Sequence, residues 1–192
     1  MPIIQDGTGV GTALKVDTSS RAYTLSDQRS ELYALNLQGR VFAAPFTVTP
    51  TGGTSVFAWI GNTFSGNMLR IYQIDIECTA AEIVVMHTDI TFTLAADAGG
   101  TLASMNTNSQ FNLSPSSSAS TSGTVNFRTG SAITGTAAGS IVAYLGLAAG
   151  VLFSWAPKST LLLGPSRTVY LKTTTGGNVI TGIIYFSVEP QS

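Results

Sequence analysis

Tyr72-Gln73-Ile74-Asp75-Ile76-Glu77-Cys78 is the stretch whose reading decides the fold. Apolar and polar residues alternate strictly. Successive Cβ atoms of a strand point to opposite faces, whereas a helix brings residues three and four apart together, so a period of two reads as a half-buried β-strand. Tyr72, Ile74, Ile76 and Cys78 are assigned to a core face, and Gln73, Asp75 and Glu77 to the other. The next segment repeats the pattern. Val84, Met86, Ile90, Phe92 and Leu94 share one side with Thr88 as the polar member, and Val85, His87, Asp89, Thr91 and Thr93 lie opposite. Near the C-terminal end Ile180, Ile184, Phe186 and Val188 form a third such face. Gly182 in that series marks either a bulge or a close backbone approach.

Working outward, further strands are expected over Val41–Thr49, Ser55–Ile60, Thr124–Arg128, Ile141–Leu147, Val151–Trp155, Thr160–Leu163 and Thr168–Thr173. Turn residues separate them at Pro50-Thr51-Gly52-Gly53, Ala98-Gly99-Gly100, Gly164-Pro165-Ser166 and Thr175-Gly176-Gly177-Asn178. One short helix fits Asp27–Leu37, capped by Ser26 or Asp27 and ended by Gly39. Eight to ten short strands with few helix signals predict an all-β fold, an antiparallel β-sandwich of jelly-roll type. Residues 1–37 read as an extended N-terminal arm and residues 38–192 as the sandwich domain. Residues 99–123, rich in Ser, Asn and Gly, read as a long surface loop.

The inventory of side chains excludes more than it includes. The 192 residues hold one histidine, one cysteine, nine Lys and Arg and ten Asp and Glu. Charged residues make up 10% of the chain, against roughly 25% in ordinary soluble domains. Much of the surface is therefore expected to be covered by partners. A lone cysteine forms no disulfide framework, and Cys78 in a strand pattern reads as a small buried hydrophobe in a chain made in a reducing cytoplasm. Net charge of −1 and scattered cations provide no field toward nucleic acid. Met1-Pro2-Ile3-Ile4-Gln5-Asp6 lacks the basic and apolar regions of a secretory signal. The apolar run Ile141–Phe153 is too short to span a membrane and reads as buried strands joined by the tight Ala148-Ala149-Gly150 turn.

Candidate chemistry is thin. Gly7, Gly9 and Gly11 lack both the spacing of a phosphate loop and its Gly-Lys-Ser/Thr ending, and Lys15 lies too far along to serve. Asp75 and Glu77 share a strand face and could form a carboxylate pair or, with Glu82 and Asp89, a weak calcium site. Two solvated charges are the plainer reading. His87 stands without a nucleophile or orienting acid, and no G-x-S-x-G elbow exists in the chain. The sequon at Asn112-Leu113-Ser114 precedes Pro115 and reads as chance. Trp59 and Trp155 could stack sugars, but their apolar strand patterns place them in the core or an interface. No catalytic, cofactor-binding or metal residue is assigned, and no enzymatic activity is expected.

Several segments resemble structural proteins of tailed bacteriophages. Asp6–Ala22, where Gly7, Gly9 and Gly11 lead to Lys15-Val16-Asp17 and Arg21, is similar to their opening segment with its K-V-D-x-x-x-R stretch. Ala34–Phe42 is similar to the step into their first sandwich strand. Asn106–Ser109, Thr129–Thr136 and Leu163–Leu171 running into Val188-Glu189 continue the likeness. Their tryptophan-rich closing segment is replaced by Phe186-Ser187-Val188-Glu189-Pro190. The resemblance implies a virion protein, most like a capsid decoration (cement) protein. Such a protein sits on the outer shell, often as a homotrimer, and binds the major capsid protein. It implies no catalytic residues. The arm is the candidate for lacing onto a neighbour. The alternative is a tail-associated or receptor-binding module that recognises host carbohydrate through an exposed tryptophan.

Overall fold

A computed structural model describes residues 15–16, 22–23, 41–52, 55–62, 67–89, 101–104, 125–133, 139–158 and 161–190. Every regular element among them is a β-strand. In chain order these are β1 (Lys15–Val16), β2 (Ala22–Tyr23), β3 (Val41–Val48), β4 (Val56–Asn62), β5 (Asn67–Cys78), β6 (Glu82–Asp89) and β7 (Thr101–Ser104). There follow β8 (Val125–Ile133), β9 (Ser140–Leu147), β10 (Phe153–Trp155), β11 (Leu161–Leu163), β12 (Arg167–Thr173) and β13 (Ile180–Pro190). No helix among the described residues is long and apolar enough to cross a membrane.

The chain divides into Met1–Glu31 and Leu32–Ser192. Within the first unit β1 and β2 pair antiparallel, Lys15 with Tyr23 and Val16 with Ala22. The rest of the expected arm, and the helix expected over Asp27–Leu37, lie outside the described residues.

The second unit holds two antiparallel sheets. One has the order β10-β5-β13-β3, with β11 pairing the same edge of β5 further along. The other has six strands in the order β7-β8-β4-β12-β6-β9. A single apolar cluster draws on both: Phe46, Ile74, Ile76, Ile184 and Phe186 from the first, Ile60, Met86, Phe127, Leu145 and Leu171 from the second. Contact across the two is direct, since the Phe46 ring lies 6.0 Å from Phe57 and 6.3 Å from Phe127. A further tie runs from the Asn62 side-chain amide on β4 to the Leu163 carbonyl on β11 at 3.0 Å, which satisfies a buried polar group.

Bulges in β5 and in β4 reset the alternation there. In β5 the register with β13 slips so that Tyr185 faces Gln73 and Phe186 faces Ile71. Tyr72 is the extra residue. The core position assigned to it belongs instead to Ile71, which is 1% exposed. An inserted residue shifts every side chain before it to the other face, so period two read backward from Ile74 fails at this point. In β4 the register slips between Val56 and Ala58, and both Phe57 and Ala58 reach the core.

Thr101–Ser104 pairs with β8 and is the last strand of its sheet among the described residues, so the loop expected over 99–123 is interrupted by β7. The remainder of that stretch lies outside the described residues, as do Ile90, Phe92 and Leu94. The run Ile141–Phe153 also departs from expectation. Its strands and its Ala148-Ala149-Gly150 turn are present, with Gly150 at φ 64°, but the strands are not buried. Leu145 and Leu147 reach the core, while Ile141, Val142, Tyr144, Val151 and Leu152 are exposed.

Gly182 proves to be a close approach. It keeps register with Phe46 and Ile76, and a Cβ there would sit 2.6 Å from the Asp75 carbonyl oxygen and 2.6 Å from the Phe46 ring. Gly182→Ala is expected to cost about 1–3 kcal/mol, because a side chain must be forced into packed space against a backbone atom. Urea unfolding measures it; a loss under about 0.5 kcal/mol would show that the strands shift freely.

Candidate functional site

Glu82 opens β6 in the six-stranded sheet and is 4% exposed. A buried carboxylate needs several donors, and the turn after β12 supplies them. Glu82 Oε1 accepts from the backbone N–H groups of Thr174 (3.2 Å), Thr175 (3.0 Å) and Ile83 (3.1 Å) and from the Thr174 hydroxyl (3.0 Å). Oε2 accepts from the Gly176 N–H at 3.0 Å. Burial on its own raises the carboxyl pKa, but the hydrogen bonds from Gly176, Thr175, Thr174 and Ile83 outweigh it and hold the group below its ordinary value. The turn can wrap the carboxylate because Gly176 and Gly177 adopt φ of 74° and 81°. Gly176 also lies so close to the Gly52 backbone that a Cβ would meet it at 2.5 Å. Nothing in the alternation of β6 marks this role, since all the partners but the Ile83 N–H lie about ninety residues downstream.

Of the four carboxylates considered together in sequence, Asp75 and Glu77 do not cluster with Glu82. Asp75 and Glu77 lie on β5 in one sheet, Glu82 and Asp89 on β6 in the other. Asp75 accepts a 2.6 Å bond from the Gln73 side-chain amide, and Glu77 is exposed. The oxygens of Glu82 are surrounded by N–H and O–H donors, which is the wrong polarity for a cation. Among the described residues no three His, Cys, Asp or Glu side chains gather as a metal-ligand set.

The side of the six-stranded sheet away from the main core carries a transverse row. Arg128, Trp59, Tyr170 and His87 are register partners across β8, β4, β12 and β6. The Arg128 guanidinium sits 5.8 Å from the Trp59 ring centroid, and His87 stacks on Tyr170 at 5.3 Å with ring planes 10° apart. His87 thus has an aromatic neighbour, and its Nδ1 is 3.5 Å from the Gly139 carbonyl. Trp59 and Tyr170 form a second apolar cluster with Val56 and Ile133. At 2% exposure the Trp59 indole offers no platform for a sugar ring, and half-buried Trp155 packs on the main core opposite Ile74. Cys78 is free and fully buried, as a small hydrophobe.

A polar group on the other sheet joins β5 to β13. Arg70 donates to Glu189 Oε1 at 3.3 Å, the Tyr72 hydroxyl lies 3.0 Å from Ser187 Oγ, and Ser187 Oγ donates to Glu189 at 3.0 Å. Burial pushes the Tyr72 phenol above its ordinary value, so it remains a hydrogen-bonding hydroxyl. Ser187 is fully buried and out of a substrate's reach. This cluster fastens the bulged segment of β5.

The accessible feature is apolar. Of the eight large hydrophobic side chains exposed among the described residues, Ile141, Val142, Tyr144, Val151 and Leu152 fall within one twelve-residue window, and Ile83 lies across from it on β6. No charged residue occurs from Thr129 to Pro157. Adjoining backbone bonds fasten one end of this region: Gly150 N–H to the Cys78 carbonyl at 2.8 Å and Thr79 N–H to the Val179 carbonyl at 3.0 Å. Val179, itself 38% exposed, thereby joins the turn bearing Val151 and Leu152 through Cys78 and Thr79. Concentrated apolar exposure of this kind marks an interaction surface. No family model matches the chain, and no curated protein or solved structure matches it either.

Proposed function

We propose that the chain is a non-enzymatic virion structural protein, a capsid decoration protein whose two sheets form a jelly-roll-like sandwich. It binds the major capsid protein on the outer surface of the assembled shell and works in several copies, the resemblance implying a trimer. The observation that carries this reading is the exposed, uncharged apolar region around Val151 and Leu152, held by backbone hydrogen bonds to Cys78 and to the strand ends beside it. Low charge and the resemblance to phage structural proteins support it. Burying a leucine side chain contributes about 1.5–3 kcal/mol. Several copies docking together raise effective concentration, so modest single contacts add up to firm attachment.

Co-sedimentation with shells of the parent particle, stripped of their decoration, tests the reading. Full-length protein is expected to pellet with shells. Leu152→Lys is expected to bind at least about tenfold more weakly with an unchanged melt, since Leu152 is 61% exposed in the free chain. Equal binding by Leu152→Lys and Val151→Lys would move the docking site elsewhere. Absence of the wild-type protein from shell pellets would reject the decoration role.

A further inference from the structure

We infer that β9 is a self-pairing edge, through which two copies of this chain join their six-stranded sheets across a two-fold axis. The inference goes beyond shell binding and stands without it, and its two-fold dimer takes the place of the trimer that the resemblance implies. β9 ends the sheet, and among the described residues no strand pairs with its outer side. Half of an edge strand's backbone donors and acceptors point outward, and proteins commonly blunt such edges with charges or proline. Ser140–Leu147 contains neither. A bulge at Val142, where Met86 faces Ala143 and His87 faces Ile141, leaves Ala143–Leu147 as the regular stretch beside β6.

That stretch complements itself. An antiparallel pair centred on Leu145 sets Leu145 opposite its own copy, Ala143 opposite Leu147, and Tyr144 opposite Gly146 twice over. Tyr144 is 66% exposed, and, its chain neighbours apart, no residue comes within 4 Å of where a Gly146 Cβ would be. The tyrosine ring of one copy therefore has an open place over the glycine of the other, beside Ile83, the register partner of Gly146 and 48% exposed. Aromatic side chains set across from glycine are a recurrent stabilising cross-strand pair. Directly opposed residues share a face, so Tyr144 and Ile83 become covered on the outer side, while Leu145 stays in the core of its own chain, where it is already fully buried. With no charge on the strand, like meets like without repulsion, and an isologous two-fold contact results.

Cysteine trapping with full-length protein reads the register itself. In this pairing, positions 144 and 146 of opposite copies have Cα atoms about 4.5–5.5 Å apart, inside the disulfide range. Identical positions are offset by two residues along the strands and lie about 8 Å apart, outside it. Native Cys78 is buried and does not compete. Mixed Tyr144→Cys and Gly146→Cys chains are expected to give a covalent heterodimer on mild oxidation, and each variant by itself little. Wild-type protein at micromolar concentration is expected to sediment as a dimer, and Tyr144→Lys as a monomer with an unchanged melt. No preferential cross-link in the mixture overturns the inference, as does a trimer whose mass Tyr144→Lys leaves alone. Monomeric wild-type protein whose shell binding is lost with Tyr144→Lys also overturns it, because the shell protein is then what covers β9.

Discussion

Ile74→Asp is expected to yield a chain with no cooperative melt at room temperature. Ile74 is fully buried, with Ile184 as its partner on β13 and Trp155 on β10. Removing the isoleucine side chain from such a site costs about 2–5 kcal/mol. Placing a carboxylate there adds several more, because it must either remain charged without a partner or take up a proton far above its ordinary pKa. Together these match the roughly 5–15 kcal/mol by which a whole domain is stable. Ile74→Val, which keeps the shape, is expected to lose only about 0.5–1.5 kcal/mol. Circular dichroism during a thermal scan distinguishes them. A cooperative transition for Ile74→Asp near that of the wild type would mean that the centre of β5 is not in the core.

Glu82→Ala is expected to destabilise the protein by about 3 kcal/mol or more, an unusual loss for a Glu-to-Ala change. Hydrogen bonds to a charged acceptor are each worth about 1.5–3 kcal/mol, with strong non-additivity, and the deletion leaves the N–H groups of Thr174, Thr175 and Gly176 without their acceptor. Glu82→Gln keeps one carbonyl oxygen but turns an amide group toward donors, so an intermediate loss of about 1–3 kcal/mol is expected. The pH dependence has a definite sign. The folded-state pKa lies below the ordinary value of 4.5, so the native chain binds this proton less readily than the unfolded one. The stabilisation is complete above that value and is lost as pH falls through the lower folded-state value. The margin of wild type over Glu82→Gln is therefore expected to be full at pH 7 and to shrink below about pH 4.5. Equal melts at pH 7, or a margin unchanged in strong acid, would show that the carboxylate does not hold the turn.

Most strands were legible because alternation is a local property that survives ignorance of the partner. Val41–Val48, Ser140–Leu147, Arg167–Thr173 and Ile180–Pro190 fall within a residue or two of the expected spans where both ends were expected. The buried faces of Ile74 to Cys78 and of Val84 and Met86 follow directly from period two. The scarcity of helix signals carried the all-β class for the same reason.

The candidate surface was not legible. Ile141, Val142, Tyr144, Val151 and Leu152 are as apolar as any core strand, and composition by itself placed them inside. Their exposure follows from β9 ending its sheet and from the turn into β10, a matter of strand order. Tyr72 left the core because a bulge occurs in β5 where Phe186 pairs with Ile71, and a bulge is a relation between two strands. Glu82 looked like a surface carboxylate until the turn at Thr174–Gly176 folded over it. Trp59 and Tyr170 became neighbours through the pairing of β4 with β12, more than one hundred residues apart. Sequence by itself determined most of the strands, with β7 and the β1–β2 pair as exceptions, and, between bulges, which side chains share a face, since both follow from the pleat of a single chain. Only the tertiary structure decided which face is covered, which strand is left at an edge and which buried charge finds its donors, because each depends on free energy gained between residues far apart in the chain.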